Sequence, residues 1–99
     1  MSKESPGAEF WERVNAVIDL ANEQCEDAPR GEISSSLLYA TARFHAFLVA
    51  SAASDVEEMK ANRQEAIDYF PEQYKKMLIE NLDEYIENFD DYTAQEDMR

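Results

Sequence analysis

The chain carries few side chains that could perform acid–base, nucleophilic or metal chemistry. It has one histidine, His45, and one cysteine, Cys25. A nucleophilic Cys/His pair requires the two side chains to lie within reach of each other in a cleft. The paired cysteines and Glu-x-x-His spacing of structural zinc and di-iron sites are absent, and so is a glycine-rich loop for phosphate. We therefore expect a non-enzymatic protein with no catalytic residue, no metal and no cofactor.

Arg43 is the most informative polar residue of the central segment. It lies beside Tyr39 in a stretch that is apolar on nearly every side, where an unpaired buried guanidinium would be strongly destabilising. We expect a carboxylate or a set of carbonyl acceptors opposite it, with Asp19 and Glu23 as the nearest candidates. The favoured interpretation is a structural ion pair that orients the first two helices. The alternative is a small-anion or metabolite site formed by Arg43, Tyr39 and Asn22.

A second candidate region is a contact surface near the C-terminus. Tyrosines and asparagines follow one edge of the predicted last helix, and acidic residues follow its opposite side. The tyrosine–asparagine edge is typical of either a core boundary or an interface. The acidic side has three possible interpretations. It is exposed only to solvent, or it docks to a basic protein, or it mimics a nucleic-acid backbone and fills the binding site of a nucleic-acid-binding protein. The candidate interface residues are Tyr74, Asn81, Tyr85, Asn88, Glu80, Asp83, Glu84 and Glu87.

Composition restricts the class of protein that must position these side chains. The chain has 99 residues, 44% of them hydrophobic, with only two glycines and three prolines. Such a chain predicts a single all-α domain with one core over residues 8–92, with flexible polar ends at 1–7 and 93–99. The net charge of −13 opposes direct binding to nucleic acid and favours a basic protein partner.

The same sequence excludes several locations. The N-terminus lacks the apolar segment of a secretory signal, and no apolar run approaches the roughly 20 residues that span a bilayer. A lone cysteine suits a reducing compartment. We expect a cytoplasmic protein that does not contact membranes.

Hydrophobic periodicity predicts a compact bundle of three to four helices. The first covers about residues 8–25, and the second covers about 35–53 with Ser34 as its cap. The second helix is apolar on nearly every side, so we place it centrally. A helix so apolar in a short chain also suggests cover from a second copy, that is, a homodimer.

The C-terminal half of the chain predicts further helix. Residues 54–57 have the pattern of a capping box and begin a third helix. Pro71 is expected to kink or break it, because proline removes a helical hydrogen bond. Either the kinked continuation or a separate helix then runs to about Tyr92.

Several segments resemble a small proteobacterial family known only as a domain of unknown function. The central helix Tyr39-Ala-Thr-Ala-Arg-Phe-His-Ala-Phe47 carries most of the resemblance, a pattern of the type YAxARFxAF. Phe10-Trp11 and residues 81–89, Asn-Leu-Asp-Glu-Tyr-Ile-Glu-Asn-Phe, extend it toward both ends. The resemblance implies a bacterial cytoplasmic helical protein and supplies no activity, ligand or partner.

Overall fold

A computed structural model describes residues 7–93 of the chain. Within this range the chain forms helices and no strand, which confirms the predicted all-helical fold class. Gly7 and Thr93 are the described residues of the two predicted flexible ends, whose other residues lie outside the described range. The helices, in chain order, are α1 (Ala8–Gln24), α2 (Arg30–Ala52), α3 (Val56–Glu87) and α4 (Phe89–Thr93).

Helix α1 begins and ends close to the predicted residues. Its cap at the N-terminal end is Gly7, in an extended conformation and without a side-chain hydrogen bond. At the other end the N–H of Cys25 donates to the carbonyls of Ala21 and Asn22, at 3.2 and 3.1 Å. The amphipathic pattern therefore predicts this helix to within one residue at its C-terminus.

Helix α2 begins earlier than predicted, at Arg30. The N–H groups of Glu32 and Ile33 donate to the carbonyl of Pro29, at 3.0 and 3.2 Å. Proline is well tolerated at a helix start, because its missing N–H falls among groups that have no intrahelical partner there. The prediction that Ser34 caps the helix was wrong, since Ser34 lies inside the helix. Pro29 starts α2 rather than only ending α1.

Every residue of α2 keeps some exposure to solvent. We expected this helix to be covered on most sides, yet no residue in it is buried. Leu38, Phe44 and Phe47 are 58%, 60% and 61% exposed. Large apolar side chains that one would assign to a core are thus open to contact in this helix.

Helix α3 has a capped start that is one residue later than the predicted capping box. The Asp55 carboxylate accepts the N–H of Glu58 at 2.9 Å, and the Glu58 carboxylate accepts the N–H of Ser54 at 2.7 Å. This second bond stabilises the charged form and lowers the pKa of Glu58 below its ordinary value. The predicted helix start is confirmed, with Asp55 as the capping residue.

Helix α3 continues through Pro71 and spans 32 residues. At 1.5 Å per residue it is about 48 Å long. Pro71 has no N–H to offer the carbonyl of Ile67, four residues earlier. The alternative in which two separate helices meet at this proline was therefore wrong. The helix ends at Asn88, whose N–H donates to the carbonyl of Glu84 at 3.0 Å.

Two compact units meet within α2. In the described range the first unit ends at Ala42 and the second begins at Arg43. The first contains α1 and the beginning of α2, and the second contains the rest of α2 with α3 and α4. The prediction of one domain over residues 8–92 stays a prediction. None of the described helices combines the length and hydropathy needed to cross a membrane.

Candidate functional site

Arg43 does not occupy the buried position that we expected. Its side chain is exposed, and no ion pair within residues 7–93 includes it. It belongs to the second unit, whereas Tyr39, Asn22, Asp19 and Glu23 belong to the first. The need for a carboxylate partner rested on burial, so the exposure removes that need. A role for these residues as a ligand site or polar cluster stays a prediction.

Asn22 differs from the other members of this predicted cluster. Its side chain is half-buried, and the amide nitrogen Nδ2 is covered without a hydrogen-bond partner among the described residues. A covered amide donor normally has an acceptor, and leaving one unsatisfied is destabilising. Asn22 therefore retains an unused donor on α1.

His45 packs against an aromatic ring of α3. The His45 and Phe70 rings are stacked, with centroids 4.1 Å apart and planes 9° from parallel. Cys25, the other residue of the weighed nucleophilic pair, is a half-exposed free thiol at the end of α1. Residues 7–93 contain no group of three side chains able to hold a metal ion. The single histidine thus joins α2 to α3 by stacking.

Half-buried residues recur at regular spacing along α2 and α3 around the His45–Phe70 stack, and this set is here called the seam. On α2 the seam includes His45 and Val49, one helical turn apart. On α3 its residues recur every three or four positions, as expected for one helix face: Met59, Asn62, Ala66, Phe70 and Gln73. Residues 74–84 are all exposed. The seam therefore ends at Gln73, about halfway along α3.

Two open grooves flank the seam, and they share Val49 and Ala66. One has a volume of about 350 Å³ and includes Glu65 in its lining. The other, here called the basic groove, has a volume of about 380 Å³ and an apolar lining with two cations and no carboxylate. Its lining residues are Ala46, Val49, Val56, Met59, Lys60, Arg63, Ala66 and Ile67. In a chain with a net charge of −13, this groove is a local exception.

Beyond the seam, α3 exposes a row of aliphatic side chains, here called the distal stripe. Leu78, Leu82 and Ile86 are 41%, 52% and 72% exposed. They recur every four residues and so lie along one side of the helix. At 100° per residue, this side is about 160° around the helix from the seam. The distal stripe therefore faces nearly away from the side on which α3 meets α2.

Sequence reasoning did not identify Leu78, Leu82 and Ile86 as a candidate site. An amphipathic helix shows the same division whether its apolar side meets a core or a partner. A signal was nonetheless present. The apolar positions before Pro71 and those after it lie on different sides of one continuous helix.

The predicted asparagines are bonded within their own helix. Asn81 Nδ2 donates to the carbonyl of Met77 at 2.8 Å, and Asn88 Nδ2 donates to that of Glu84 at 3.1 Å. Each bond reaches back one helical turn. These donors are satisfied locally, and the Asn88 bond adds to the C-terminal cap of α3.

The predicted tyrosines divide between local packing and exposure. The Tyr85 and Tyr92 rings stack with centroids 3.9 Å apart, and the Tyr92 hydroxyl donates to Glu84 Oε2 at 2.8 Å. This bond to a carboxylate stabilises the protonated phenol and raises the pKa of Tyr92. Tyr74 is 51% exposed and lies near the start of the distal half. Tyr85 and Tyr92 join α4 to the end of α3.

Acidic side chains lie on the opposite side of this half of α3 from the distal stripe. Glu80, Asp83, Glu84 and Glu87 are all exposed, and no ion pair within the described range includes them. The apolar row and the carboxylates therefore lie on different sides of the same exposed half of α3. This half of α3 is the candidate functional site.

These observations define a small all-helical protein with a long helix that is half packed and half open. The chain belongs to the family described as Protein of unknown function (DUF3144), whose model matches residues 10–86. The family resemblance found in the sequence is thereby confirmed. No curated protein matches the chain.

A solved structure supports the same fold. The chain is similar to the protein NB7890A from Shewanella sp, determined by NMR, with 37% sequence identity. The match covers 97% of this chain and 100% of the other, with a TM-score of 0.73. The fold of this chain is therefore shared with a protein of known structure from Shewanella sp.

Proposed function

We propose that this chain is a non-enzymatic protein-interaction module that binds through the distal half of α3, residues 74–87. The observation that carries the proposal is the exposure of the distal stripe, whose three side chains are 41–72% open to solvent. Contiguous apolar surface bordered by charged residues is characteristic of interaction sites. The stacking of His45 on Phe70 also favours a packing role for the histidine.

The chemistry of the surface indicates what kind of protein it binds. Apolar contact with Leu82 and Ile86 supplies most of the affinity, because rim charges contribute more to orientation and association rate. The carboxylates of Glu80, Asp83 and Glu87 lie on the opposite side of the helix, so they attract a basic partner through their long-range field and not by direct pairing beside the stripe. A basic protein with an exposed apolar surface satisfies both conditions.

The sequence analysis left two alternative functions open, small-anion binding through Arg43 and acidic mimicry, and no observation of the structure favours either. Small-anion binding through Arg43 would need a recess, and neither of the grooves described above includes Arg43. Mimicry of a nucleic-acid backbone is supported only by the net charge of −13, and it does not explain why the distal stripe is exposed. A bacterial, cytoplasmic setting remains part of the proposal, because the family resemblance implies a bacterial protein and the lone cysteine suits a reducing compartment.

The test compares a wild-type bait with two variants in a native bacterial lysate. The first variant carries Leu82→Ser and Ile86→Ser, and the second carries glutamine or asparagine at Glu80, Asp83, Glu84 and Glu87. The matched control carries Leu20→Ser and Leu38→Ser, because those side chains are 55% and 58% exposed and lie outside the distal stripe. Retained proteins are identified, purified and titrated against each bait.

Support requires a purified partner whose binding to the stripe variant is at least tenfold weaker than to the wild type and to the control. The acidic variant should lower the association rate and reduce its dependence on salt. Equal binding to all baits, or no protein that discriminates between the wild type and the stripe variant, would overturn the proposal.

A further inference from the structure

We propose that the basic groove binds a small anionic amphiphile, that is, a carboxylate attached to a flexible aliphatic chain. The aliphatic chain of the ligand lies along the apolar lining, and its carboxylate contacts Lys60 and Arg63 at the open side of the groove. All lining residues of the groove belong to the second compact unit. The site is separate from the distal stripe, so the inference goes beyond the proposed function.

The chemistry of the lining indicates both parts of this ligand. Small-molecule sites are concave, mostly apolar and about 300–1,000 Å³ in volume, with a few polar groups that fix the orientation of the ligand. The basic groove has a volume of about 380 Å³, and its only charged side chains are the two cations. The other lining residues are aliphatic residues and one methionine, with no aromatic ring on which a flat ligand could stack. An aliphatic chain with one anionic end therefore matches the lining.

The two cations share one side of α3 with exposed apolar residues of the groove. At 100° per residue, Lys60 and Arg63 lie within about 60° of each other around the helix, and Val56 and Ile67 lie between them. Val56 and Ile67 are 61% and 44% exposed. A single ligand on this side can therefore contact the cations and the open apolar surface at once.

Both cations are available to a ligand. Lys60 meets the Glu57 carboxylate at 3.6 Å, and the two side chains are 69% and 77% exposed. Such a solvent-exposed pair is weak, so a ligand carboxylate can compete for the ammonium group. No ion pair within residues 7–93 includes Arg63, whose guanidinium can hold a carboxylate through two parallel hydrogen bonds. Arg63 is therefore the main carboxylate-binding residue, and Lys60 adds a second positive charge.

The shape of the groove suits an extended aliphatic chain. Ala46 and Ala66 contribute only methyl groups to the lining, and Met59 is an unbranched side chain that adapts to irregular shapes. The α3 residues of the lining begin at Val56 and end at Ile67, about 17 Å apart at 1.5 Å per residue. An aliphatic chain along this length would cover apolar side chains that are exposed in its absence.

The size and charge of the surroundings favour a small ligand over a macromolecule. The α3 wall of the groove is about 17 Å long and about 10 Å wide, so its projected area is roughly 170 Å². Each partner in a standard protein interface buries roughly 800 Å². The net charge of −13 repels polyanions such as nucleic acid and anionic membranes. A ligand with one negative charge is repelled less, because salt screens exposed charges that are more than about 10 Å away.

The test is calorimetric titration of the full chain with decanoate below its micellar concentration. Decanol, which has the chain without the charge, and butyrate, which has the charge with a short chain, are the comparison ligands. The charge variant carries Lys60→Gln and Arg63→Gln. The matched control carries Lys75→Gln and Lys76→Gln, which change the net charge equally at exposed positions outside the groove. Far-UV circular dichroism verifies that each variant keeps its helices.

The wild type should bind one decanoate per chain, at least tenfold more tightly than decanol or butyrate. The charge variant should bind decanoate at least tenfold more weakly than the wild type and the control, because both charge-assisted contacts are lost. Its affinity for decanol should stay within about twofold of the wild type. Ala46→Leu, at an exposed position of the lining, should weaken binding of both ligands because it fills the groove.

Amide chemical shifts of the isotope-labelled chain locate the bound decanoate, and changes centred on residues 46–67 support the inference. Absence of decanoate binding at millimolar concentration overturns it, and so does equal binding by the charge variant and the control. Shift changes confined to the distal stripe also overturn it, as does binding to phosphatidylglycerol vesicles without binding to free decanoate. None of these results alters the proposed function, which depends on residues 74–87 and on a protein partner.

Discussion

The two halves of α3 share one continuous helix and differ in what covers them. From Met59 to Gln73, every three or four residues one side chain is half-buried, and Phe70 stacks on His45 of α2. From residue 74 to 84 every side chain is exposed, although leucine, isoleucine and tyrosine are more frequent there than in residues 56–73. Apolar content therefore does not distinguish a packed half from an open one.

The angular position of the apolar residues does distinguish them. The seam and the distal stripe lie about 160° apart around the helix axis. If the seam side of α3 is extended past Gln73, it carries Asn81 and Glu84, whereas Leu82 lies on the other side of the helix. The difference teaches that the phase of a hydrophobic pattern, relative to the preceding helix, separates a core side from an interaction side.

The largest expected effect is at the residue where the two halves meet. Pro71→Ala restores an N–H that can donate to the carbonyl of Ile67, and it removes the clash of the proline ring. The free energy of unfolding should rise by up to about 3 kcal/mol. Urea denaturation measures this directly. A decrease would mean that the proline ring makes contacts that an alanine cannot replace.

A pair of variants then compares one side chain from each half. Phe70→Ala removes the ring on which His45 stacks and should lower the free energy of unfolding by roughly 2 kcal/mol, below the range for fully buried phenylalanines. Leu82→Ala should change it by less than about 0.5 kcal/mol at low protein concentration, where the chain is unassociated. Thermal unfolding of both variants provides the measurement. Equal losses would contradict the division of α3 into a packed and an open half.

The smallest expected effect concerns the start of the packed half and depends on pH. The bond from Ser54 lowers the pKa of Glu58 in the folded chain, so ionised Glu58 contributes stability above its unfolded pKa near 4.5. That contribution disappears as the pH falls through the lowered folded value. Glu58→Gln should therefore reduce the difference between the free energies of unfolding measured by denaturation at neutral and at acidic pH. Glu57→Gln, one position away and without the Ser54 bond, is the matched control and should leave the profile nearly unchanged.

Much of the fold follows from local chemistry, and the errors have local causes. Amphipathic spacing predicts α1 to within one residue, and the capping-box pattern at residues 54–57 predicts the start of α3 to within one residue. The start of α2 was placed five residues late, because Pro29 was taken only as a stop signal. A proline at the start of a helix costs no intrahelical hydrogen bond, so Pro29 can both stop a preceding helix and begin the next one.

The site was harder to predict, because it depends on which helix faces are covered. Arg43 was expected to need a partner because its neighbours are apolar, yet those neighbours and Arg43 itself are exposed. The predicted acidic residues do lie on the open half of α3, on the side opposite the distal stripe. Asn81 and Asn88 donate to carbonyls of their own helix, which no spacing rule reveals in advance.

The connection between α2 and α3 consists of residues 53–55, and this brevity limits how the chain can be altered. Its backbone is fixed by the Asp55 cap and by the Ser54–Glu58 bond, so it has no slack to absorb an added residue. An insertion there would shift His45 out of register with Phe70. The exposed turn at Glu26–Asp27 lies outside that constraint, which makes it the better place for an affinity tag or a fluorescent label.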